Sequence, residues 1–238
     1  MNIINPYRFG GIPTNGLIAE YLFDTDASDT AGDAGGPYDG TLQGDAAVSS
    51  GVLTLDGTDD YVTIADNDIF SFTDGAGTDN PFSISLWVKS TVAASAQNLV
   101  TKGDFGGTRE YQFQFLGGGN AGKLAITLYT SSGSEYIYAI GTTAYTQNQW
   151  HHYVVTYDGS ESETGITLYF DDSDDTATRG ETGTYLGMSN SAVAVGLGAR
   201  FSFTAWGVFL TGDMDNVRIY DRELSAAEVT QLFNEGHS

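Results

Sequence analysis

The residues with the clearest chemical potential are acidic. In Gly212 to Phe233 (GDMDNVRIYDRELSAAEVTQLF), Asp213 and Asp215 lead into an apolar run. Alternate side chains of an extended segment share a face. Asp215 is therefore expected, together with Asp213, in phase with Val217 and Ile219, while Arg218 and Tyr220 point the other way. A carboxylate on an apolar face needs a cation, hydrogen-bond donors or a proton, so Asp215 requires a partner from another part of the chain. Aspartate supplies 22 of the 31 acidic residues, many of them among Gly, Ser and Thr. Loops of that composition carry the oxygen ligands hard divalent cations prefer, although a solvated acidic surface accounts for most of these residues.

Catalytic groups are sparse. The histidines are His151, His152 and His237, and no nucleophile is visibly paired with a base. After Trp150, His152 alternates with Val154 and reads as a packed, hydrogen-bonded side chain, whereas His151 lies with Tyr153, Val155 and Tyr157. Glu161-Ser-Glu163 falls between two extended segments and reads as a solvated hairpin loop. With no cysteine there is neither thiol chemistry nor a thiolate metal site. Hydrolase activity is not expected.

A net charge of -22 repels phosphate backbones and anionic membrane surfaces, so neither nucleic acid nor membrane insertion is expected. No apolar run reaches the length of a membrane span, and Met1 is not followed by the order of a secretory signal. At 238 residues, 40% of them hydrophobic, one large domain is the simplest organisation.

Residues 1–15 (MNIINPYRFGGIPTN) form the first division of the chain, an extended arm. Pro6, Gly10, Gly11 and Pro13 prevent a useful amphipathic helix, which leaves Ile3, Ile4, Tyr7 and Phe9 free to dock on a partner or across the domain. From residue 16 to 238 short extended runs follow one another, beginning with Leu17 to Phe23. Gly51 to Ile64 reads as a hairpin turning at Asp56 to Asp60, and the last run is Thr211 to Tyr220. Roughly a dozen strands without intervening helical patterns indicate a sandwich or barrel. One short helix is expected at the end: Ser225 and Glu228 have capping-box spacing, and Leu224 and Val229 that of a hydrophobic staple.

The succession GLIAEYLFD, DTAGDAGGPYDGTL, LTLDGTDDYVTI, FSISLWVKS, VTKGD, QWHHYVVTYDG, ITLYFDD and GDMDNVRIYDRELSAAEV resembles the laminin G-like, concanavalin A-like lectin/glucanase superfamily. The resemblance runs from about Gly16 to Gly236. It implies an all-β fold, a two-sheet antiparallel jelly-roll sandwich with a short C-terminal helix, in which the first strand lies near the last. It also implies a structural Ca2+ shared by Asp29 and Asp215 with backbone carbonyls, Asp24 and Asp33 being weaker candidates. Without metal, the same carboxylates would accept N–H bonds from the loop around residues 29–36. Glucanases of this fold carry Glu-x-Asp-x-Glu on one strand, and this chain has no such triplet.

Aromatic side chains and short polar groups suit sugar binding. Trp87 and Trp150 fit strand positions, while Trp206 and Phe203, in Ala199 to Leu210 (ARFSFTAWGVFL), are the candidate ligand contacts. The four carboxylates of Asp171 to Asp175 read as a solvated turn. Two functions are expected. One is a virion component, a phage capsid decoration or tail protein, whose arm docks on other virion or cell-surface proteins and whose jelly roll is displayed to glycans. The alternative is an extracellular carbohydrate-binding or adhesion domain of a secreted bacterial protein.

Overall fold

The computed structural model describes residues 11–31, 36–131 and 133–237. Asp33 and the expected docking residues Ile3, Ile4, Tyr7 and Phe9 lie outside them. The strands run in the order β1 (Leu17–Tyr21), β2 (Gly40–Gln43), β3 (Ala47–Ser49), β4 (Val52–Asp56), β5 (Tyr61–Ile64), β6 (Phe82–Ser90), β7 (Gln97–Gly103), β8 (Arg109–Phe115) and β9 (Lys123–Tyr129). They continue with β10 (Tyr136–Ala144), β11 (His151–Tyr157), β12 (Ile166–Phe170), β13 (Ser173–Asp174), β14 (Thr176–Thr182), β15 (Val195–Leu197), β16 (Arg200–Ser202), β17 (Ala205–Gly207) and β18 (Thr211–Tyr220), and end at helix α1 (Ala226–Glu235).

Two antiparallel sheets make the expected jelly-roll sandwich. The first has the order β13-β12-β11-β6-β18-β4-β3 with β1 also on β18, and the second the order β14-β10-β9-β8-β7-β15-β5-β2. First and last strands are partners, as the resemblance implies, with Tyr21 opposite Val217. The core follows from alternation: Ile84, Leu86 and Val88 of β6 meet Tyr111, Phe113 and Phe115 of β8 and Leu124, Ile126 and Leu128 of β9 in one buried cluster. The alternate residues face outward.

Two expectations are corrected. Gly51 to Ile64 is not a hairpin, because β4 pairs with β3 and β18 whereas β5 pairs with β2 and β15. Leu53 and Leu55 of one strand and Val62 and Ile64 of the other all enter the core. The Asp56–Asp60 turn therefore carries the chain from one sheet to the other. Asp215, for its part, is out of phase with Val217 and Ile219. The β18–β6 register shifts between Asp215 and Arg218 at Asn216, whose φ is 50°, the signature of a bulge. Met214, Val217 and Ile219 point into the core, while Asp215 sits opposite Trp87 and Asp213 opposite Lys89 on the other face.

That other face is covered by α1. Ser225 and Glu228 form the capping box, and Leu224, Val229 and Leu232 pack with Val154, Tyr169 and Tyr220. Arg218 fixes the arrangement. Its Nε donates to Glu20 of β1 at 2.7 Å, and its Nη2 and Nη1 reach the two oxygens of Glu235 at 2.9 and 2.7 Å. From the expected arm, Ile12 packs on the same cluster and the Asn15 carbonyl accepts Arg222 Nε at 2.7 Å. Residues 12 and 15 are thus held by the sandwich itself.

Candidate functional site

Asp29 is buried in the loop after β1. Its Oδ1 accepts the N–H groups of Glu20 and Ala31 at 2.9 and 3.0 Å, and its Oδ2 that of Tyr38 at 3.2 Å. Its own carbonyl accepts the Gly36 N–H at 2.8 Å. Gly36 passes so close that any Cβ there would overlap the carboxylate. Among the described residues, three amide donors fill three of the four lone-pair sites of the Asp29 carboxylate, the fourth being on Oδ2. Asp215, fully buried, accepts the Asn216 N–H at 2.7 Å. Asp24 is exposed. A further acidic group, Asp45, Asp56 and Asp59, has carboxylate oxygens within 4.8 Å of one another and is exposed.

The histidine pair is structural. His152 Nε2 lies 2.8 Å from Ser85 Oγ, a nucleophile–base geometry, but both side chains are buried and Trp87 lies over the imidazole at 5.2 Å, itself stacked on Phe233 of α1. Burial pulls the His152 pKa down to about 3, so it stays neutral and out of reach of substrate. His151 packs on Phe170 with ring centroids 4.5 Å apart, and Glu161 is exposed in a turn. Within the 171–175 turn, Asp171 accepts the His152 N–H at 3.1 Å, and Asp175 is buried and bonded to Thr143 Oγ1 at 2.6 Å.

The outward face of the second sheet differs. Register places Gln112, Thr127 and Tyr138 side by side, and Tyr129 beside Tyr136. Gln112 Nε2 donates to Asn98 at 2.7 Å and to Gln114 at 2.8 Å, while the Tyr129 hydroxyl reaches Gln112 Oε1 at 3.4 Å. The rings of Tyr129, Tyr136 and Tyr138 form a row with centroids 5.5 and 6.2 Å apart. Gly180 on β14 admits the Tyr138 ring. Amides, hydroxyls and aromatic rings thus occupy one face that is no part of the apolar core; on it Asn98, Gln112, Thr127 and Tyr129 are buried, and Gln114, Tyr136 and Tyr138 are partly exposed.

The β16–β17 hairpin borders this surface and separates the two aromatic candidates. Trp206 lies over Gly196 and stacks on Tyr61 at 4.9 Å, so it fastens the hairpin to the sheet. Phe203, at the tip, is 72% exposed with a left-handed φ of 57°. Its N–H is held by Asp104 Oδ1 at 2.7 Å, and its ring rests on Gly106. A bulky residue kept at positive φ with its ring in solvent is strained and displayed. Beside it, Phe105 carries two cations: Arg200 Cζ at 5.5 Å and Arg109 Cζ at 5.9 Å from its centroid. Arg109 also lies 5.2 Å from Tyr129.

Residues 56–230 match the family model described as the concanavalin A-like lectin/glucanases superfamily. The chain belongs to that superfamily. No curated protein matches it. Among solved structures it is similar to domain 4 of AbnA, an extracellular GH43 arabinanase from Geobacillus stearothermophilus solved with arabinotriose. The identity is 21%, the TM-score 0.62, and the match covers 91% of this chain and 97% of that one. It is also similar to the binding domain of Paraclostridial Mosquitocidal Protein 1, at 16% identity and TM-score 0.67, covering 93% of this chain and 52% of that one. A structure of botulinum neurotoxin type C, whose cell entry depends on interaction with two ganglioside molecules, matches at 13% identity and TM-score 0.63, covering 93% of this chain and 51% of that one. The chain spans about half the length of these toxin structures. At such identities the likeness is one of fold.

Within this superfamily member the tyrosine and glutamine face was the part hidden in the sequence. E-Y-Q-F-Q-F at 110–115 shows the alternation, but glutamines alternating with aromatics read equally as a solvated strand face until their neighbours are known.

Proposed function

We propose that this domain is a non-catalytic surface module that binds glycans on the outward face of its second sheet, contacting them through Gln114, Tyr136, Tyr138 and Phe203. The observation that carries the reading is the row of tyrosines beside a bonded amide network, outside the core, with an exposed phenylalanine at its border. Pyranose rings stack on aromatic faces while amides and hydroxyls read their hydroxyl groups. The superfamily and the arabinotriose-bound and ganglioside-dependent neighbours support it. β8, β9 and β10 offer Gln112, Gln114, Thr127 and tyrosines here, not the paired carboxylates of a glycosidase. A glycan array followed by calorimetry tests the reading: Tyr136→Ala and Tyr138→Ala should each weaken binding about tenfold without changing the melting temperature by more than a few degrees. Undiminished binding in both variants contradicts it.

The setting we propose is a virion, with the module displayed as a capsid decoration or tail component and residues 1–10, the part of the arm before Ile12, as its attachment. The Pro- and Gly-rich, apolar-dotted arm supports this setting, and the extracellular arabinanase neighbour supports the secreted bacterial alternative. Ordering a free arm costs on the order of 1–2 kcal/mol per residue, which docking must offset. Deleting residues 1–10 should abolish assembly onto the particle while leaving cooperative melting near its original temperature. A large drop in melting temperature with assembly intact would instead make the arm a strap within the domain.

A structural Ca2+ on Asp29 Oδ2 and Asp215 is part of the same proposal. A ligand bound only to the native state stabilises it by about 2.7 kcal/mol at one hundred times its Kd. Excess chelator should therefore lower the melting temperature, and Asp215→Asn should remove the difference. An identical melting curve with and without chelator excludes the ion and leaves Asp29 held by amide donors, those of Glu20, Ala31 and Tyr38 among the described residues.

A further inference from the structure

Acidic residues outnumber basic ones 31 to 9, so cations find carboxylates easily in this chain. On the first sheet and in the turn after it they do: Lys89 pairs with Asp213, Arg218 with Glu20 and Glu235, and Arg222 with Glu228. Lys102, buried on β7, pairs with Asp66 and Glu110. The cations of β8, β9, β14 and the hairpin, which are Arg109, Lys123, Arg179 and Arg200, make no ion pair among the described residues. Two of them, Arg109 and Arg200, gather at one ring.

Arg109 is fixed but not saturated. Its Nε donates to the Phe105 carbonyl and its Nη1 to the Gly133 carbonyl, both at 3.2 Å, leaving Nη2 and one Nη1 hydrogen without a partner among the described residues. The Arg200 side chain makes no hydrogen bond to any described residue and lies over the Phe105 ring. Both side chains are partly buried. Burial lowers the Arg200 pKa below its ordinary value, and the Arg109 charge lowers it further against an opposing pull from Tyr129. Two guanidinium groups with spare planar forks, neither of them in an ion pair with a described carboxylate of a strongly acidic protein, match a carboxylate brought in from outside. The exposed Phe203 ring stands next to them as a stacking surface for the sugar that bears it.

We propose that Arg109 and Arg200, gathered at Phe105 beside Phe203, hold the carboxylate of an acidic saccharide, so that this face selects uronate- or sialate-type glycans over neutral ones. The proposal rests on the glycan-binding reading above and gives it a ligand class. The overall negative charge opposes the approach of an anion, but at about 0.15 M ionic strength the Debye length is about 8 Å, and contacts at hydrogen-bond distance decide the outcome.

The test uses matched pairs on the full chain at that ionic strength: tetragalacturonate against its methyl ester, and sialyllactose against lactose. At least one acidic member should bind about tenfold or more tighter than its neutral counterpart. Arg200→Gln, which breaks no hydrogen bond of the fold, and Arg109→Gln should each remove that preference, and Arg200→Lys should restore part of it. Acidic and neutral members binding alike, with both lost in Tyr138→Ala, overturns the carboxylate assignment and leaves the glycan face standing. A preference that survives in Arg200→Gln also overturns it. Absence of binding to all four probes, when the array returns neutral glycans, again defeats only the assignment. An array with no binder at all defeats both readings.

Discussion

Arg218→Ala is expected to destabilise the domain by about 3–5 kcal/mol, measured as the shift in urea-unfolding free energy at neutral pH. The guanidinium is 1% exposed and bridges three elements, with Glu20 on β1 and Glu235 at the end of α1. These carboxylates hold its pKa above the usual arginine value despite the opposing cost of burial. Truncation leaves two carboxylates facing each other in a space built for a cation, where at least one must take up a proton or move into water. It also frees α1 from the strand it covers, so amide exchange should accelerate in residues 226–235 before the sheets open. A loss below about 1 kcal/mol would mean that solvent reaches the triad and that the helix is held by its apolar face alone.

Lys102→Met should have a comparable effect, about 3–5 kcal/mol at pH 7, for a different reason. Lys102 Nζ, fully buried, donates to Asp66 at 2.7 Å, Glu110 at 3.0 Å and the carbonyls of Ser191 and Val193 at 2.7 and 3.2 Å. Glu110 in turn accepts the Ser191 N–H at 2.6 Å, so this pair clamps the loop before β15 onto β7 and β8. Burial already pushes the Glu110 pKa up, with Lys102 the main force restraining it. Without the lysine the folded pKa climbs further above the unfolded one. The unfolded state then holds fewer protons between those two values, and stability falls as pH rises through that window. The deficit of the variant should therefore shrink on acidification, and Lys102→Met with Glu110→Gln should recover much of it. A deficit independent of pH would show that lost packing, not the stranded carboxylate, is responsible.

The fold was largely legible because its signals are local or ordered along the chain. Ser225 and Glu228 announced α1, Leu224 and Val229 its staple, and the eight segments their superfamily. What misled was the assumption of unbroken alternation. One bulge at Asn216 turns Asp215 from the core face to the helix face, and Asn216, a residue type that tolerates positive φ, is the single weak mark of it in D-M-D-N-V-R. The Asp56–Asp60 turn has the composition of a hairpin, yet it joins two sheets, because turn chemistry fixes a reversal and not the partner of each strand. The candidate face was least legible of all. Gln112, Tyr129, Tyr138, Phe105 and Arg200 come from strands and loops far apart in sequence, and only the register of β8, β9 and β10 and the docking of the hairpin through Trp206 on Tyr61 bring them together. Phe203 was picked out by composition alone, and its exposure rests on a backbone conformation that the sequence does not announce.

The central claim is one of place, and amide chemical-shift mapping tests it most directly. Isotope-labelled full chain would be titrated with a glycan returned by the array. Shifts are expected to concentrate at Gln112, Gln114, Thr127, Tyr136, Tyr138 and the 200–207 hairpin, with little change around Trp87 and α1. Shifts centred instead on the helix-covered face or on the Asp45–Asp59 turn would contradict the account.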